Sequence, residues 1–171
     1  MILESEQEST MIVRNATQTD LDAIFRIYER ARQYMIETGN PSQWEDRYPP
    51  KELVLKDLAG KNLYVLEEDG ALCGVFAFFP EGDPSYDSIQ GAWLNSLPHG
   101  AIHRVASAGI KKGVFAACAD YCLTRINNLK IDTHKDNKVM QHQLTKYGFL
   151  PCGIVLTPYG EERIAFQLYR E

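Results

Sequence analysis

Between residues 101 and 149 the chain sets glycine, lysine, histidine and carboxylate side chains at the ends of strand-like and helix-like patterns. Gly109-Ile110-Lys111-Lys112-Gly113 follows a strand pattern, 101–107, and leads into an apolar helical pattern that begins at Val114. A strand that empties through glycine into a helix leaves backbone N–H groups unpaired and aims a positive dipole end at one spot, so such a turn can seat a phosphate. The same residues also make a plain turn with solvated lysines, and the loop alone does not separate the two readings. His103 is a candidate for proton transfer; strand alternation puts it on one face with Val105 and Ser107, opposite Arg104. That position also suits a histidine satisfied beneath a helix. His134, beside Asp132 and Asp136, can orient its turn instead. Four scattered histidines give a metal site no support. In the first half, Trp44-Glu45-Asp46 places an aromatic ring beside two carboxylates, a pairing that suits an ammonium group. A tryptophan there equally staples its loop to the core.

These residues need elements to hold them. Residues 12–16 read as a first strand, and Thr17 to Asp20 offers capping residues for a helix. Leu21, Ile24, Phe25, Tyr28 and Met35 recur at helical spacing up to Gly39. A polar, aromatic loop, 40–50, and a short helix, 51–59, follow. Residues 62–67 and 72–79 form a hairpin across Asp69-Gly70, 80–86 is a loop by composition, and 90–97 is open between strand and loop. After the strand at 101, residues 114–126 put Val114, Cys118, Tyr121 and Cys122 on one helical face. A strand at 129–133, a helix at 138–146 stopped by Gly148, and an antiparallel pair, 152–156 and 164–168, close the chain. The order predicts an α/β (α+β) fold: a mixed, mostly antiparallel sheet with helices on both faces.

With 171 residues the chain suits one domain. We expect residues 1–11 to be a flexible acidic lead-in and 12–171 a single domain. Residues 1–10 lack the basic flank and apolar run of a secretory signal, and no apolar stretch reaches spanning length. Cys73, Cys118, Cys122 and Cys152 contain no C-x-x-C pair and read as reduced packing residues, which suits a cytoplasmic location. A net charge of −5 disfavours a surface built for nucleic acid and is compatible with a cationic amine. Neither a Walker-type loop nor a dinucleotide-binding G-x-G-x-x-G occurs, so nucleotide hydrolysis and dinucleotide redox chemistry are poorly supported.

Ile102-His103-Arg104-Val105-Ala106 and Asp132-Thr133-His134-Lys135-Asp136-Asn137, with the glycine turn between them, resemble the acyl-CoA-binding core of the GNAT superfamily of N-acetyltransferases, especially a bacterial branch with IHRVA and DTHxDN motifs. The likeness extends weakly from Ile12 to Gln167, and residues 101–149 carry its specificity. It implies a GNAT-like sheet whose strands at 101 and 129 splay apart to admit acetyl-CoA as co-substrate, with no metal. The family's phosphate loop, Arg/Gln-x-x-Gly-x-Gly/Ala, aligns on Ile110 to Phe115. Ile110 replaces the Arg/Gln and Phe115 replaces the small residue. Phosphate binding would then rest on backbone N–H groups, Gly113 and Lys111 or Lys112, with Val114, Phe115 and Ala116 opening the helix.

By the same resemblance, main-chain groups of Val105, Ala106 and Ser107 pair with the pantetheine amides as a pseudo-strand. Asn137 contacts the cofactor or caps its helix, and both roles are compatible. The tyrosine that usually donates a proton is replaced by Leu144, Tyr147 matches a packing position, and the general acid is unassigned. His103 is the candidate base. Tyr28, Trp44 and Tyr48 fall in the region that walls the acceptor pocket. The acceptor would be an amine of a small molecule or protein, with neither nucleic acid nor membrane as partner. Homodimers are common in the family, although no feature here demands one. The leading expectation is an N-acetyltransferase working by direct attack in a ternary complex; the rival is a GNAT-like module that holds acyl-CoA without turnover.

Overall fold

Short runs rich in β-branched and aromatic residues pair into one eight-stranded sheet, ordered β1-β2-β3-β5-β6-β8-β7-β4. The strands are β1 (Ile12–Asn15), β2 (Leu63–Glu68), β3 (Ala71–Phe79), β4 (Gln90–Gly91), β5 (Gly100–Ser107), β6 (Asn128–Thr133), β7 (Leu150–Leu156) and β8 (Glu162–Tyr169). All neighbouring pairs are antiparallel except β5 and β6. Among the described residues four α-helices cover the sheet: α1 (Leu21–Glu37), α2 (Lys51–Ala59), α3 (Val114–Leu123) and α4 (Lys138–Tyr147). A computed structural model supplies these coordinates and describes residues 10–171. Residues 1–9 of the expected lead-in lie outside the described residues, and Met11, which that expectation included, packs against the core.

Helix α1 starts where its capping residues predict. The Asp20 carboxylate accepts the Thr17 N–H at 2.7 Å and the Arg14 guanidinium at 2.8 Å. The Arg14 hydrogen bond is the main reason that carboxyl is held down at about 2. The apolar stripe of α1 and Val54 of α2 bury against Leu63, Val65, Val75 and Ala106 on one face of the sheet. The other face carries α3 and α4, with Val114, Phe115, Cys118, Cys122 and Leu144 packed on Phe76, Phe78, Ile102, Leu129 and Phe166. A third, smaller cluster holds Tyr86, Ala101, Val155 and Ala165 beneath the loop after β3. Each large side chain so enclosed contributes roughly 1.5–3 kcal/mol of transfer free energy.

Several boundaries differ from expectation. Helix α3 stops at Leu123, three residues before Ile126, because Arg125 and Ile126 turn back onto the Cys122 carbonyl. Of the ambiguous 90–97 stretch only Gln90–Gly91 is strand, pairing with β7. The 80–86 loop contains a single 3₁₀ turn at Pro84–Asp87, capped by Asp83, whose carboxylate accepts the Ser85 N–H.

Two irregularities position the site. Parallel strands β5 and β6 pair only at Gly100 with Leu129 and Ala101 with Lys130, and thereafter diverge. Opposite β3, β5 is bulged: Val75 faces Ala106 and Ala77 faces His103, so Arg104 and Val105 together oppose Phe76. Arg104 is the extra residue, at φ +53°.

Candidate functional site

The bulge corrects the expected side-chain alternation. His103 packs with Phe79 and Tyr86 on the face bearing the third cluster, Arg104 turns to the same side to meet Asp57 of α2, and Val105 packs beneath α3 and α4. Ser107, paired with Gly74, is therefore not a face-mate of His103. The extra residue reverses the alternation downstream of it.

Past Ala101 the diverging strands open cavities on both sides. One, of about 750 Å³, is bounded by Val105, Ala106, Ser107 and Gly109–Ala116, with Arg30 and Tyr34 from α1 and Met140, Gln143 and Tyr147 from α4. Gly113, at φ +83°, turns the chain into α3, a conformation that costs glycine little. Among the described residues, no backbone N–H from Ile110 to Ala116 donates a hydrogen bond; the first to do so is Ala117, to the Gly113 carbonyl. A run of unpaired amides at a helix start is an anion cradle. The two expected loop lysines separate: Lys111 forms an ion pair with Glu68 of β2, whereas Lys112 is exposed and has no ion pair among the described residues. Phe115, at the position the resemblance gives to a small residue, does not obstruct this groove. It is 5% exposed and packs on Tyr147 and Phe149, ring centroids 6.1 and 5.9 Å away.

The second cavity, of about 880 Å³, lies under the 40–50 loop, the 80s loop and the β7–β8 turn. His103 faces it with Asp83, whose Oδ2 lies 2.8 Å from His103 Nε2. A carboxylate only accepts, so Nε2 carries a proton toward Asp83, and Nδ1 has no partner among the described residues. The His103 hydrogen bond is the main reason the Asp83 carboxyl sits well below the usual range. Trp44 and Tyr48 line the cavity, their rings 5.9 Å apart. Tyr28 does not reach it: the side chain is 1% exposed, edge-on to Trp44, and its hydroxyl donates to the Arg104 carbonyl at 2.9 Å. Of the two carboxylates beside Trp44, Glu45 lines the cavity and forms an ion pair with Arg47, whereas Asp46 is exposed, 3.8 Å from the same guanidinium, and does not line it.

Further acids face the cavity: Asp132 on β6, which accepts the buried Tyr86 hydroxyl at 2.5 Å, and Glu161, which holds Arg163 at 2.9 Å. Thr133 lines the same cavity, is 1% exposed, and leaves its Oγ1 without a hydrogen-bond partner. Met35, Val105, Asn137 and Met140 border both cavities, which meet there at the mouth of the splay.

The chain is 30% identical to a GNAT-family acetyltransferase of Streptococcus agalactiae, across 94% of this chain and 96% of that one, with a TM-score of 0.78. The chain belongs to the GNAT family. A GNAT-family acetyltransferase of Listeria monocytogenes (17% identity, 94% and 95% of the two chains, TM-score 0.67) shares the fold. So does yncA of Salmonella typhimurium, solved with its cofactor acetyl-CoA (16% identity, 95% of each chain, TM-score 0.63). No protein-family model and no curated protein matches the chain.

Leu144 is fully buried in the core and presents no polar atom. Tyr147 donates its hydroxyl to Asp120 and packs in the aromatic cluster, so it too is packing; burial pushes its phenol up. Asn137 caps α4, its Oδ1 accepting the Met140 N–H at 3.0 Å while its Nδ2 donates to Gln43 at 2.9 Å. Burial lowers the His134 pKa, and its Nδ1 accepts the Asp136 N–H at 3.0 Å, which fixes the turn into α4. Among the described residues no three His, Cys, Asp or Glu side chains gather as metal ligands would, and no helix is long and apolar enough to cross a membrane.

Sequence reasoning missed Asp83, Gln43 and Arg30. Asp83 lies in a loop read from composition alone, and its only local signal is the Asp-Pro-Ser turn it caps. Gln43 ties the 40–50 loop to α4 and to β8 through Asn40, Asn137 and Arg163, contacts as far as 120 residues apart. Arg30 sits on the exposed edge of α1, where an arginine carries no pattern of its own.

Proposed function

We propose that this GNAT chain transfers an acetyl group from acetyl-CoA to a primary amine of a small molecule or a peptide or protein, by direct attack in a ternary complex. The observation that carries the reading is the meeting of two cavities at Val105 and Asn137, one edged by the unpaired amides 110–116 and the other by His103, Trp44 and Asp132. Two reactants that approach from opposite sides of one opening need little further ordering to react, and such placement supplies much of the acceleration in a ternary complex.

Acetyl-CoA supplies an acyl group activated as a thioester. The amides of 110–116 hold its diphosphate, and the edge of β5 at Val105, Ala106 and Ser107 pairs with its amide arm. Asp132 and the Trp44 ring attract the acceptor ammonium. His103 takes the amine proton on Nδ1, so that nitrogen attacks with a lone pair; Asp83 fixes the tautomer that leaves Nδ1 basic. As the carbon–sulfur bond breaks, the sulfur takes the imidazolium proton, and the attacking nitrogen releases its second proton to solvent.

Free thiol released from acetyl-CoA across a panel of primary amines tests this reading. We expect amine-dependent release, lowered about 100-fold by His103→Gln with binding of CoA retained. A binding module without turnover is the competing reading, favoured by the sealed, apolar Leu144. Binding of CoA with no thiol release from any acceptor supports the module, and no binding of CoA rejects both.

A further inference from the structure

A GNAT phosphate loop that has lost its Arg/Gln at residue 110 has no planar side-chain donor of its own, since Ile110 is exposed and apolar, Lys111 is held by Glu68 and Lys112 offers only a point charge. The structure supplies a guanidinium from another element. Arg30 of α1 reaches across the groove, donates Nη1 to the Ser107 carbonyl at 3.0 Å, and lies over the Tyr34 ring at 5.4 Å. It rests flat on Gly109: a Cβ built there would fall 2.1 Å from Arg30 Cζ and Nη2, and Gly109 has φ +77°. Any side chain at 109 would displace it. Arg30 borders the same groove as the free amides and forms no ion pair among the described residues. Among the described residues one of its N–H groups is engaged, so the rest of a charged, planar donor fork stays available beside an anion cradle.

We infer that Arg30 grips the diphosphate of the acyl-CoA, doing from α1 what the family's Arg/Gln does from within the loop. The inference rests on the proposed acyl-CoA binding. Held by Ser107, Tyr34 and Gly109, the guanidinium is ordered before the ligand arrives, and little side-chain freedom is lost on binding. Lys cannot reproduce the planar fork, which makes the position more demanding than one of simple charge.

Calorimetric titration of CoA and of dephospho-CoA, which lacks the 3′-phosphate but keeps the diphosphate, tests the assignment on wild type, Arg30→Ala and Arg30→Lys. Arg30→Ala is expected to weaken both ligands by the same factor, roughly 10–100-fold, with unchanged thermal stability, and Arg30→Lys to recover part of the loss. Gly109→Ala, which pushes the guanidinium aside, gives a second reading of the same loss. Equal affinity in wild type and Arg30→Ala overturns the inference, as does a loss confined to CoA, which places Arg30 on the 3′-phosphate. If the wild type binds neither ligand, the acyl-CoA reading itself falls.

Discussion

A buried hydroxyl without a partner costs about 1–3 kcal/mol, and Thr133 carries one at the wall of the larger cavity. At a cavity wall such a group is open to a hydrogen bond from a bound ligand. Thr133→Val keeps the shape and removes the orphan. We predict that it raises the melting temperature by roughly 2–4 °C while lowering turnover about tenfold, measured by thermal unfolding and by thiol release. A substitution that stabilises without affecting turnover would assign Thr133 to packing alone. Gain in one quantity and loss in the other is the signature of a site residue, and neither follows from the sequence, where Thr133 is simply a strand-forming residue inside a motif.

Among the elements, α2 is anchored by one polar contact. Asp57, 3% exposed, accepts Arg104 Nε and Nη2 at 2.8 and 2.9 Å, and Tyr48 takes Nη1 at 3.1 Å. This network fixes the bulged backbone of β5 to the loop that walls the larger cavity. Asp57→Ala leaves a guanidinium buried without its counter-charge, so we predict a loss of about 3–5 kcal/mol in chemical denaturation, with a raised KM for the acceptor. A loss below about 1 kcal/mol would show that solvent satisfies Arg104. The strand–glycine–helix order on either side of the splay was legible because alternation, helical spacing and glycine are local signals. The bulge was not. It depends on Arg104 meeting Asp57 and Tyr28, residues 47 and 76 positions away, and it put Val105 and Ser107 on the face opposite His103. The same reason hid Asp83, whose partner His103 lies 20 residues further on.

Across the whole molecule, two histidines link stability to pH. His99 Nε2 accepts the Asp83 N–H at 3.2 Å and His134 Nδ1 accepts the Asp136 N–H at 3.0 Å. Burial lowers both pKa values below the ordinary 6.5. Because the folded state favours the neutral ring, their contribution is present above about pH 6.5 and is lost as pH falls through the folded values. Buried Tyr28 and Tyr86 have raised pKa values, mainly through burial, so their contribution is lost only at strongly alkaline pH. Thermal unfolding should therefore show a plateau from about pH 7 to about 9 and a decline below it; a melting temperature that rises on acidification from pH 7 to 5 would contradict this. The sheet, its helices and its family were readable from the chain, whereas the pairing of two cavities through one opening emerged only from the tertiary arrangement. The account stands on the amides of 110–116 receiving the phosphates of CoA, and hydrogen exchange measures that directly. Saturating CoA should slow exchange in peptides covering 110–116 by about tenfold or more, with β7 and β8 unchanged. Exchange there that CoA leaves untouched, while other segments become protected, would contradict it.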